Sequence, residues 1–343
     1  MSWMMPPEWA PHKRTWMSWP CNPDVLELVG SPEAAYRAWA GAANKIARFE
    51  PVTMVCKPGE EAAARKYLDA GIAIVERDLG DSWMRDCGPT FVVNEQGALG
   101  AVDWTFNGWG GRTFPEGSAD ALIARFAAEQ AGATRLPSVL VNEGGGIHVD
   151  GEGTLLLTET VQLNRNRNPN WTRREVEVEM HRKLGTGKAI WVPRGLEADT
   201  SDAGTDGHID TLACFVKPGV VVVHGQPDPD HPDHETSREI EAIMRAETDA
   251  RGRALEVIVL EAPKECYDHG ESLSCSYVNF SFVNGGVVLC EFDDPRDEEV
   301  SGIFRRLFND REVVSVPAVD IFKGGGGVHC ITQQEPLCAT NGG

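Results

Sequence analysis

Apolar residues follow two alternating patterns along the chain: short runs joined in pairs by glycine-containing turns, and longer stretches with helical spacing. Paired runs around a short turn are typical of β-hairpins, and glycine suits the turn because it tolerates positive φ. Four hairpins are predicted over residues 90–104, 147–159, 212–224 and 278–292, with turn glycines Gly97, Gly151, Gly219 and Gly285.

Each predicted hairpin is followed by a helical pattern and then by one further strand. Apolar residues at helical spacing predict helices at 119–130, 173–184, 236–250 and 297–308. Runs rich in β-branched residues predict the next strands at 138–142, 189–193, 255–261 and 312–318. The N-terminal part follows the same plan, with strands at 15–20, 51–56 and 72–78 and helices at 31–49 and 60–70.

The chain is therefore predicted to contain about five ββαβ units. No Pro/Ser-rich or low-complexity tract separates them. We expect one α/β domain over residues 1–343, built as a ring of units around a central axis. Two separate α/β domains are the alternative that the repeat period permits.

The charge of the chain restricts its partners. Its 343 residues carry a formal net charge of -20, with an otherwise ordinary globular composition. Nucleic acid is a poor partner, because phosphate binding needs clustered Lys and Arg. An acidic surface concentrates positive ligands and so favours a small cationic substrate, although solubility alone is the simpler explanation.

The nine cysteines are an odd number without a Cys-x-x-Cys pair. This usage indicates a reducing compartment and not a disulfide framework. The N-terminal segment has no apolar core of signal-peptide length, and no window approaches a transmembrane span. We therefore expect a cytoplasmic protein with no membrane partner.

Residue types that carry chemistry recur at one position, the loop that leads from the last strand of one unit into the next hairpin. In a ring of units these loops meet at one end of the axis, where a rigid scaffold supports a site. The loops are LGDSWMRDCGP (79–89), EGGGIHVD (143–150), RGLEADTSDAGTDGHID (194–210) and VDIFKGGGGVHC (319–330).

Cys330 and His208 are the candidate nucleophile and proton-transfer group. Cys330 follows the glycine run 324–327, and glycines let a ligand approach the backbone closely. Simple burial is the ordinary alternative for a free cysteine. Asp210 lies two residues after His208, so in a strand the two side chains share a face. A hydrogen-bonded turn histidine is the alternative for His208.

Two further carboxylates complete the candidate set. Asp86 lies next to Arg85 and three residues after Trp83, a large apolar wall; a surface ion pair is the alternative. Glu143 precedes another glycine run, and a solvated turn carboxylate is the alternative. Together, a thiol, an imidazole and several carboxylates at equivalent loops are the parts of a catalytic site.

The number of acids indicates the charge of the substrate. Carboxylates that face a thiol raise its pKa, so they make sense if the substrate itself supplies a positive charge. A guanidinium is planar, always charged and suited to bidentate carboxylate contacts. A metal site among His224, His231 and His234 is the weaker alternative, since their proline-rich segment is typical of a solvated loop.

Seven ordered motifs extend from near residue 8 to near residue 336: EWAPHKRTWMSWP, DSWMRDCGPTFVV, FNGWGG, NEGGGIHVDGEGT, TDGHIDTLACFV, YVNFSFVNGG and GGGGVHCITQQEP. In these motifs the chain resembles the agmatine deiminases, which belong to the bacterial-type peptidylarginine deiminase family of guanidine-modifying enzymes. The resemblance implies the pentein fold, a five-bladed α/β propeller, and hydrolysis of agmatine to N-carbamoylputrescine and ammonia without a metal or organic cofactor.

The resemblance also implies roles for single residues. Cys330 would be the nucleophile and His208 the general acid and base. Asp86 and Asp210 would hold the guanidinium nitrogens, and Glu143 would hold the substrate or orient the histidine. The remaining predicted substrate contacts are Trp83, Trp109 and Gly327.

The far end of the substrate is where this chain departs from the family. The agmatine enzymes usually carry an acid four residues before the histidine, and Gly204 stands there in this chain. Asp202 or Asp206 is the expected substitute at the remote amine.

A deiminase of another guanidino compound or of peptidyl arginine is the alternative function. A non-catalytic binding module is disfavoured, because it has no use for the thiol. A papain-like protease is excluded, because its cysteine would precede its histidine. The family resemblance further implies an oligomer of identical chains.

Overall fold

Five mixed β-sheets repeat one plan in the computed structural model. They are numbered by the position of the strand that opens each repeat unit, so the sheet opened by Thr332–Pro336 is sheet 5. The structure describes residues 2–111, 118–201, 204–264, 266–268 and 270–338. In each sheet an antiparallel pair is followed by a third strand parallel to the second. The predicted ββαβ repeat is therefore confirmed.

Apart from Trp3–Met4 and Thr332–Pro336, which were not predicted, the strands of the five sheets match the predicted runs to within a few residues. Sheet 1 has Thr90–Asn94, Leu99–Thr105 and Thr134–Val141, with Trp3–Met4 at its edge; sheet 2 has Ile147–Val149, Thr154–Thr158 and Lys188–Val192; sheet 3 has Ala213–Lys217, Val220–Gly225 and Glu256–Glu261; sheet 4 has Ser281–Val283, Gly286–Glu291 and Glu312–Pro317; sheet 5 has Thr332–Pro336, His12–Ser18, Val52–Cys56 and Ala73–Glu76.

The hairpin turns of sheets 1 to 4 use the four predicted glycines. Gly97, Gly151, Gly219 and Gly285 all have φ between 70° and 76°. An L-residue with a side chain rarely adopts this left-handed conformation, whereas glycine does so without steric cost. Each turn therefore sets the register in which its two strands pair.

Most of the longer helices connect the second and third strands of a sheet, whereas Val319–Lys323 lies between sheets 4 and 5. Helix Arg173–Leu184 coincides with the prediction, because Thr172 and Glu175 form a capping box at its start and Gly185 ends it with φ 68°. The other helices of five or more residues are Pro23–Leu28, Pro32–Ile46, Ile123–Ala131, Asp233–Ala246, Arg296–Leu307 and Val319–Lys323. The short helical turns are Glu61–Ala64, Met84–Cys87, Gly108–Gly111, Ala119–Leu122, Gly144–Gly146, Glu159–Gln162, Glu197–Thr200 and Ile209–Thr211.

Two predicted helix ranges are wrong. The range 60–70 contains only the turn Glu61–Ala64, and the range 236–250 corresponds to a helix at Asp233–Ala246. The second helix begins after Pro232 and ends where Glu247 turns to extended backbone. Proline is favoured at a helix start, and Pro232 marks this start, which lies three residues before the predicted range.

Sheet 5 joins the two ends of the described chain. Strand Thr332–Pro336 pairs antiparallel with His12–Ser18, with Thr332 opposite Met17. The buried Glu335 carboxylate accepts a hydrogen bond of 2.9 Å from Trp16 Nε1. The predictions from the sequence did not include this last strand. It completes the unit that the N-terminal segment begins.

The cysteines also differ from expectation. Cys266 and Cys275 form a disulfide, with Cα atoms 6.1 Å apart across the small hairpin Tyr267–Asp268 and Glu271–Ser272. Spacing alone did not indicate this pair, because the hairpin between the two cysteines was not predicted. The free cysteines of the described ranges are Cys21, Cys56, Cys87, Cys214, Cys290, Cys330 and Cys338.

Over the ranges that the structure describes, none of the helices combines the length and the apolar character that crossing a bilayer requires.

Candidate active site

Five loops meet at one place, and each leads into the first strand of a sheet. Four of them are the loops predicted from the sequence, and the fifth is the loop that precedes sheet 4. Because the sheets repeat one plan, these loops occupy equivalent positions and bring distant parts of the sequence together. The polar side chains that they contribute are Asp86, Glu143, His208, Asp210, Asn279 and Cys330, all buried.

The thiol of Cys330 lies at the centre of this group. Asn279 Nδ2 donates to its Sγ at 3.2 Å, and Asp210 Oδ2 lies 3.5 Å from the sulfur. Burial raises the pKa of the thiol well above its usual value, and the charges of Asp210 and Asp86 raise it further. Without a ligand the sulfur is therefore protonated at neutral pH.

His208 lies against two carboxylates. Its Nε2 is 3.3 Å from Glu143 Oε2, and its Nδ1 is 3.7 Å from Asp86 Oδ1. Burial alone would lower the pKa of the imidazole, but the charges of Asp86, Glu143 and Asp210 raise it to about 9. The ring is therefore an imidazolium at neutral pH and can donate a proton.

Asp86 is fixed by two donors. Trp109 Nε1 donates to Oδ2 at 2.9 Å, and the backbone N–H of Gly145 donates to Oδ1 at 3.0 Å. Burial raises the pKa of this carboxyl, and the nearby imidazolium of His208 opposes that rise. Trp109 adopts φ 52°, a strained conformation for a large side chain, while its indole reaches Asp86.

Asp210 is held on one side only. His329 Nδ1 donates to Oδ2 at 2.8 Å, while Oδ1 is buried and has no hydrogen-bond partner among the described residues. Burial raises the pKa of Asp210, but the hydrogen bond and the charge of His329 outweigh it and hold the pKa below the usual range. The carboxylate is thus ionised, with one oxygen available to a ligand.

Glu143 is paired with Arg167. Arg167 Nε donates to the two carboxylate oxygens at 3.0 and 3.1 Å, and both side chains are buried. Arg167 Nη1 also donates to Asp206 Oδ2 at 2.8 Å. Burial raises the pKa of Glu143, but Arg167 and His208 lower it below the usual value. The carboxylate of Asp206 therefore forms an ion pair with Arg167.

A narrow cleft of about 90 Å³ leads to the thiol. Trp83 forms an apolar wall that packs edge-on against Trp39, with ring centroids 5.6 Å apart. Asp24 and Leu28 are exposed, whereas Asp86 and Cys330 are buried, so the cleft opens beside helix Pro23–Leu28. The residues that line it are Asn22, Asp24, Val25, Leu28, Asp81, Trp83, Asp86, Trp109, Gly204, Thr205, Gly324, Gly325 and Cys330.

The structure gathers most of the predicted site residues, namely Cys330, His208, Asp86, Asp210, Glu143, Trp83 and Trp109. Gly327 lies behind the thiol: a Cβ there would be 2.5 Å from Asn279 Oδ1 and 2.8 Å from Phe322. Among the described glycines of the run, Gly324 and Gly325 line the cleft instead. Asp202 lies outside the described residues.

Sequence reasoning missed Asn279, which comes from the loop before sheet 4. Its Nδ2 contacts the sulfur of Cys330, and its Oδ1 accepts from the backbone N–H of His329 at 3.0 Å. Asn279 stands two residues before its strand, as Cys330 does before Thr332. The repeat therefore held the signal, since the loop before sheet 4 is equivalent to the four loops that carry the other site residues.

Gly145 and Arg167 were missed as well. A Cβ at Gly145 would lie 2.5 Å from His208 Nδ1 and 3.0 Å from both Asp86 Oδ1 and Asp210 Oδ2. Only glycine leaves room there for the three side chains. Arg167 lies between the second and third strands of sheet 2, in a segment that showed no motif, so nothing in the sequence pointed to it.

The three histidines of the alternative metal segment take part in local contacts. His224 Nδ1 lies 3.1 Å from Ser276 Oγ, His234 Nδ1 donates to the Gln226 carbonyl, and His231 Nδ1 accepts from the backbone N–H of Asp233. Over the described ranges, no group of three or more His, Cys, Asp or Glu is arranged to hold a metal ion.

Residues 4–336 match the family model described as Porphyromonas-type peptidyl-arginine deiminase. The chain belongs to this family. A protein of Streptomyces avermitilis is 56% identical to it over 97% of this chain and 96% of its own length. An agmatine deiminase of Stutzerimonas stutzeri is 42% identical over 97% of this chain and 95% of its own.

A solved structure supports the same assignment. The agmatine deiminase of Enterococcus faecalis is 32% identical and superposes with a TM-score of 0.91, over 98% of this chain and 96% of that one. The five repeated sheets and this family membership together confirm the expected pentein fold.

Proposed function

We propose that the protein hydrolyses the guanidinium group of agmatine to N-carbamoylputrescine and ammonia through a covalent amidino-cysteine intermediate. One observation carries the proposal. Two buried carboxylates, Asp86 and Asp210, flank the thiol of Cys330, and Asp210 leaves one oxygen without a partner. His208 and His329 each face one of these carboxylates, and the remaining open oxygen of Asp210 suits a cationic ligand that donates a charged hydrogen bond. The agmatine deiminases named among its relatives support agmatine as that ligand.

The carboxylates position the reacting carbon. Asp86 is oriented by Trp109 and Gly145, and Asp210 by His329, so neither has to reorganise when the substrate arrives. Charged hydrogen bonds to a planar guanidinium fix its orientation as well as its place. Its central carbon is thereby held over the sulfur of Cys330, which removes much of the entropic barrier to attack.

The substrate activates the nucleophile. Without it, burial and the two aspartates keep the thiol protonated. A guanidinium bound between Asp86 and Asp210 neutralises their effect and favours the thiolate, so the thiol loses its proton to solvent as the substrate binds while His208 stays protonated. Cys330 thus becomes nucleophilic only when the cleft is occupied, and attack forms a carbon–sulfur bond and a tetrahedral adduct.

His208 then moves the protons. Its imidazolium form donates to a nitrogen of the adduct, the carbon–nitrogen bond breaks, and ammonia leaves. The neutral imidazole that remains takes a proton from water as the water attacks the amidino carbon. The carbon–sulfur bond breaks in the last step, which releases the ureido product and restores the thiolate. Glu143, held by Arg167, keeps the Nε2 side of the ring in place.

The amine of agmatine lies at the open end of the cleft, where Asp24 and Asp81 line the wall. Gly204 cannot supply a carboxylate in this conformation, because a Cβ there would lie 1.9 Å from the backbone oxygen of Asp199. Asp81 is buried and accepts from Asn22 Nδ2 at 2.8 Å. We assign the ammonium group to this acidic wall.

A substrate panel tests the function. Ammonia release from agmatine should exceed that from arginine, 4-guanidinobutyrate and a peptide with C-terminal arginine by at least roughly tenfold in kcat/KM, because the acidic wall repels their carboxylates. A higher kcat/KM for any of the three carboxylates would contradict agmatine as the substrate.

The assignment of the amine predicts a selective defect. Asp81→Asn should raise KM for agmatine roughly tenfold, because a hydrogen bond between charged groups is lost, and should leave KM for butylguanidine unchanged. Butylguanidine has the same chain and guanidinium group without the amine. Equal changes for both compounds would remove Asp81 from amine binding.

The same pair of compounds gives a pH test. Burial raises the pKa of Asp81 to about 7, so its carboxylate form is populated above that pH and is lost as the pH falls below it. KM for agmatine, divided by KM for butylguanidine, should therefore decrease as the pH rises between about 6 and 8. A flat ratio would contradict the assignment.

A further inference from the structure

A buried row of ionisable side chains extends from Asp210 away from the cleft. His329 Nδ1 contacts Asp210 Oδ2 at 2.8 Å, and its Nε2 contacts the carboxylate of Glu8 at 2.9 and 3.1 Å. All three residues are at most 3% exposed. Glu8 is the first residue of the N-terminal motif EWAPHKRTWMSWP. The proposed mechanism assigns no role to this motif.

The groups around the row leave His329 in its charged form. Glu8 also faces Arg85 Nη1 at 3.4 Å and His148 Nε2 at 3.8 Å. Burial and Arg85 lower the pKa of His329, but Glu8 and Asp210 together raise it above its usual value. A protonated imidazole donates from both nitrogens, as the two contacts require.

The far side of Asp210 faces the reacting groups. Cys330 Sγ lies 3.5 Å from Oδ2, and the imidazolium of His208 also acts on this carboxylate. With Oδ2 held by His329, the open oxygen Oδ1 has a fixed direction. A carboxylate with one oxygen held and one open suits the edge of a guanidinium.

We propose that His329 and Glu8 are positioning residues: His329 holds the Asp210 carboxylate ionised and oriented toward the guanidinium, and Glu8 holds His329 charged and in place. This inference rests on the proposed function only in assigning Asp210 to the guanidinium. Neither residue takes part in bond making, and both act through Asp210.

The chain contains a matched pair for comparison. His12 and Glu50 form another buried ion pair, with Nδ1 3.1 Å from the carboxylate. Glu50 accepts from Thr15 Oγ1 and from the backbone N–H of Asn284, and neither residue is among those that line the cleft. His12 Nε2 also lies 2.8 Å from the backbone oxygen of Glu8, so the control substitution is made at Glu50 and leaves that contact in place.

The first variant is His329→Asn, with Glu50→Gln as its control. Asparagine can donate to Asp210 but carries no charge, so the pKa of Asp210 should rise. The acidic limb of kcat/KM for butylguanidine, which lacks the amine assigned to Asp81, should then move up by roughly one pH unit. Glu50→Gln should lower Tm without moving that limb. An unmoved limb in His329→Asn would reduce His329 to a structural contact.

A second readout does not need turnover. Chloroacetamidine is a cationic electrophile whose chloride a thiolate displaces, and iodoacetamide is a neutral one. The ratio of their alkylation rates at Cys330, followed by peptide mass spectrometry, should fall roughly tenfold in His329→Asn. If wild-type protein lacks agmatine turnover but this ratio falls, the proposed substrate fails and the positioning role stands. An unchanged ratio overturns the role.

Glu8→Gln keeps the test decisive should His329→Asn fail to fold. The pKa of the His329 ring, measured by NMR titration, should fall, because Arg85 then acts on it without compensation from Glu8. Above that lowered pKa the alkylation ratio should fall as well. A ring pKa equal to that of wild-type protein would overturn the part assigned to Glu8.

Discussion

Replacement of Cys330 with alanine should abolish ammonia release, with a loss in kcat of roughly 10⁴-fold or more. The proposed chemistry has two steps that share the sulfur, so neither proceeds without it. The variant should still bind agmatine, since Asp86 and Asp210 remain. Removing a protonated thiol changes no charge in the free enzyme.

The control is Cys87→Ala. Cys87 is also buried and has a raised pKa, but its sulfur donates to the Trp83 carbonyl and it is not among the residues that line the cleft. It should keep most of its activity. Acid quenching of the wild-type reaction should trap Cys330 with the added mass of agmatine less ammonia. Turnover in Cys330→Ala within tenfold of wild type would refute the nucleophile.

Asp86→Asn should have the second-largest effect, a loss in kcat/KM of roughly 10²- to 10³-fold. The amide keeps the size of the side chain and loses its charge. Removing one partner of a buried charge pair costs about 3–5 kcal/mol. Because the same carboxylate positions the carbon over the sulfur and supports the imidazolium of His208, kcat should fall together with the rise in KM.

Asp150→Asn is the matched control for this variant. Asp150 is a buried carboxylate that accepts from the backbone N–H of Thr154 at 2.9 Å and is not among the residues that line the cleft. Its loss should lower the unfolding temperature without a comparable loss of kcat/KM. A loss below tenfold in Asp86→Asn would place the guanidinium elsewhere.

The repeat made most of the architecture predictable. Hairpin turns with glycine at positive φ, apolar runs and helix caps are local signals, so the sheets and the helix Arg173–Leu184 could be predicted from adjacent residues. The same repeat placed Cys330, His208 and Asp86 at equivalent loops. Their proximity followed from symmetry and did not require any distance to be known.

Contacts that the repeat does not generate were invisible in the sequence. Arg167 meets Glu143 from a segment without a motif, and Cys266 meets Cys275 across an unpredicted hairpin. Asn279 lay at a repeat position, but an amide does not ionise and did not stand out among the Lys, Glu, Cys, Asp and His residues of its loop. These contacts depend on the directions in which the side chains point. Packing between the repeat units sets those directions, and the pattern of a single sequence does not reveal that packing.

The pairing of Thr332–Pro336 with His12–Ser18 has a consequence for biosynthesis. A ribosome releases the strand His12–Ser18 long before the strand that follows Cys330. The edge of His12–Ser18 that pairs with Thr332–Pro336 therefore stays open while the other four units emerge. The nucleophile joins the acids only when the chain closes on itself, over more than three hundred residues of separation. Nascent chains are thus catalytically silent, and closure of this seam, a contact of very high sequence separation, is expected to be the slow event in folding.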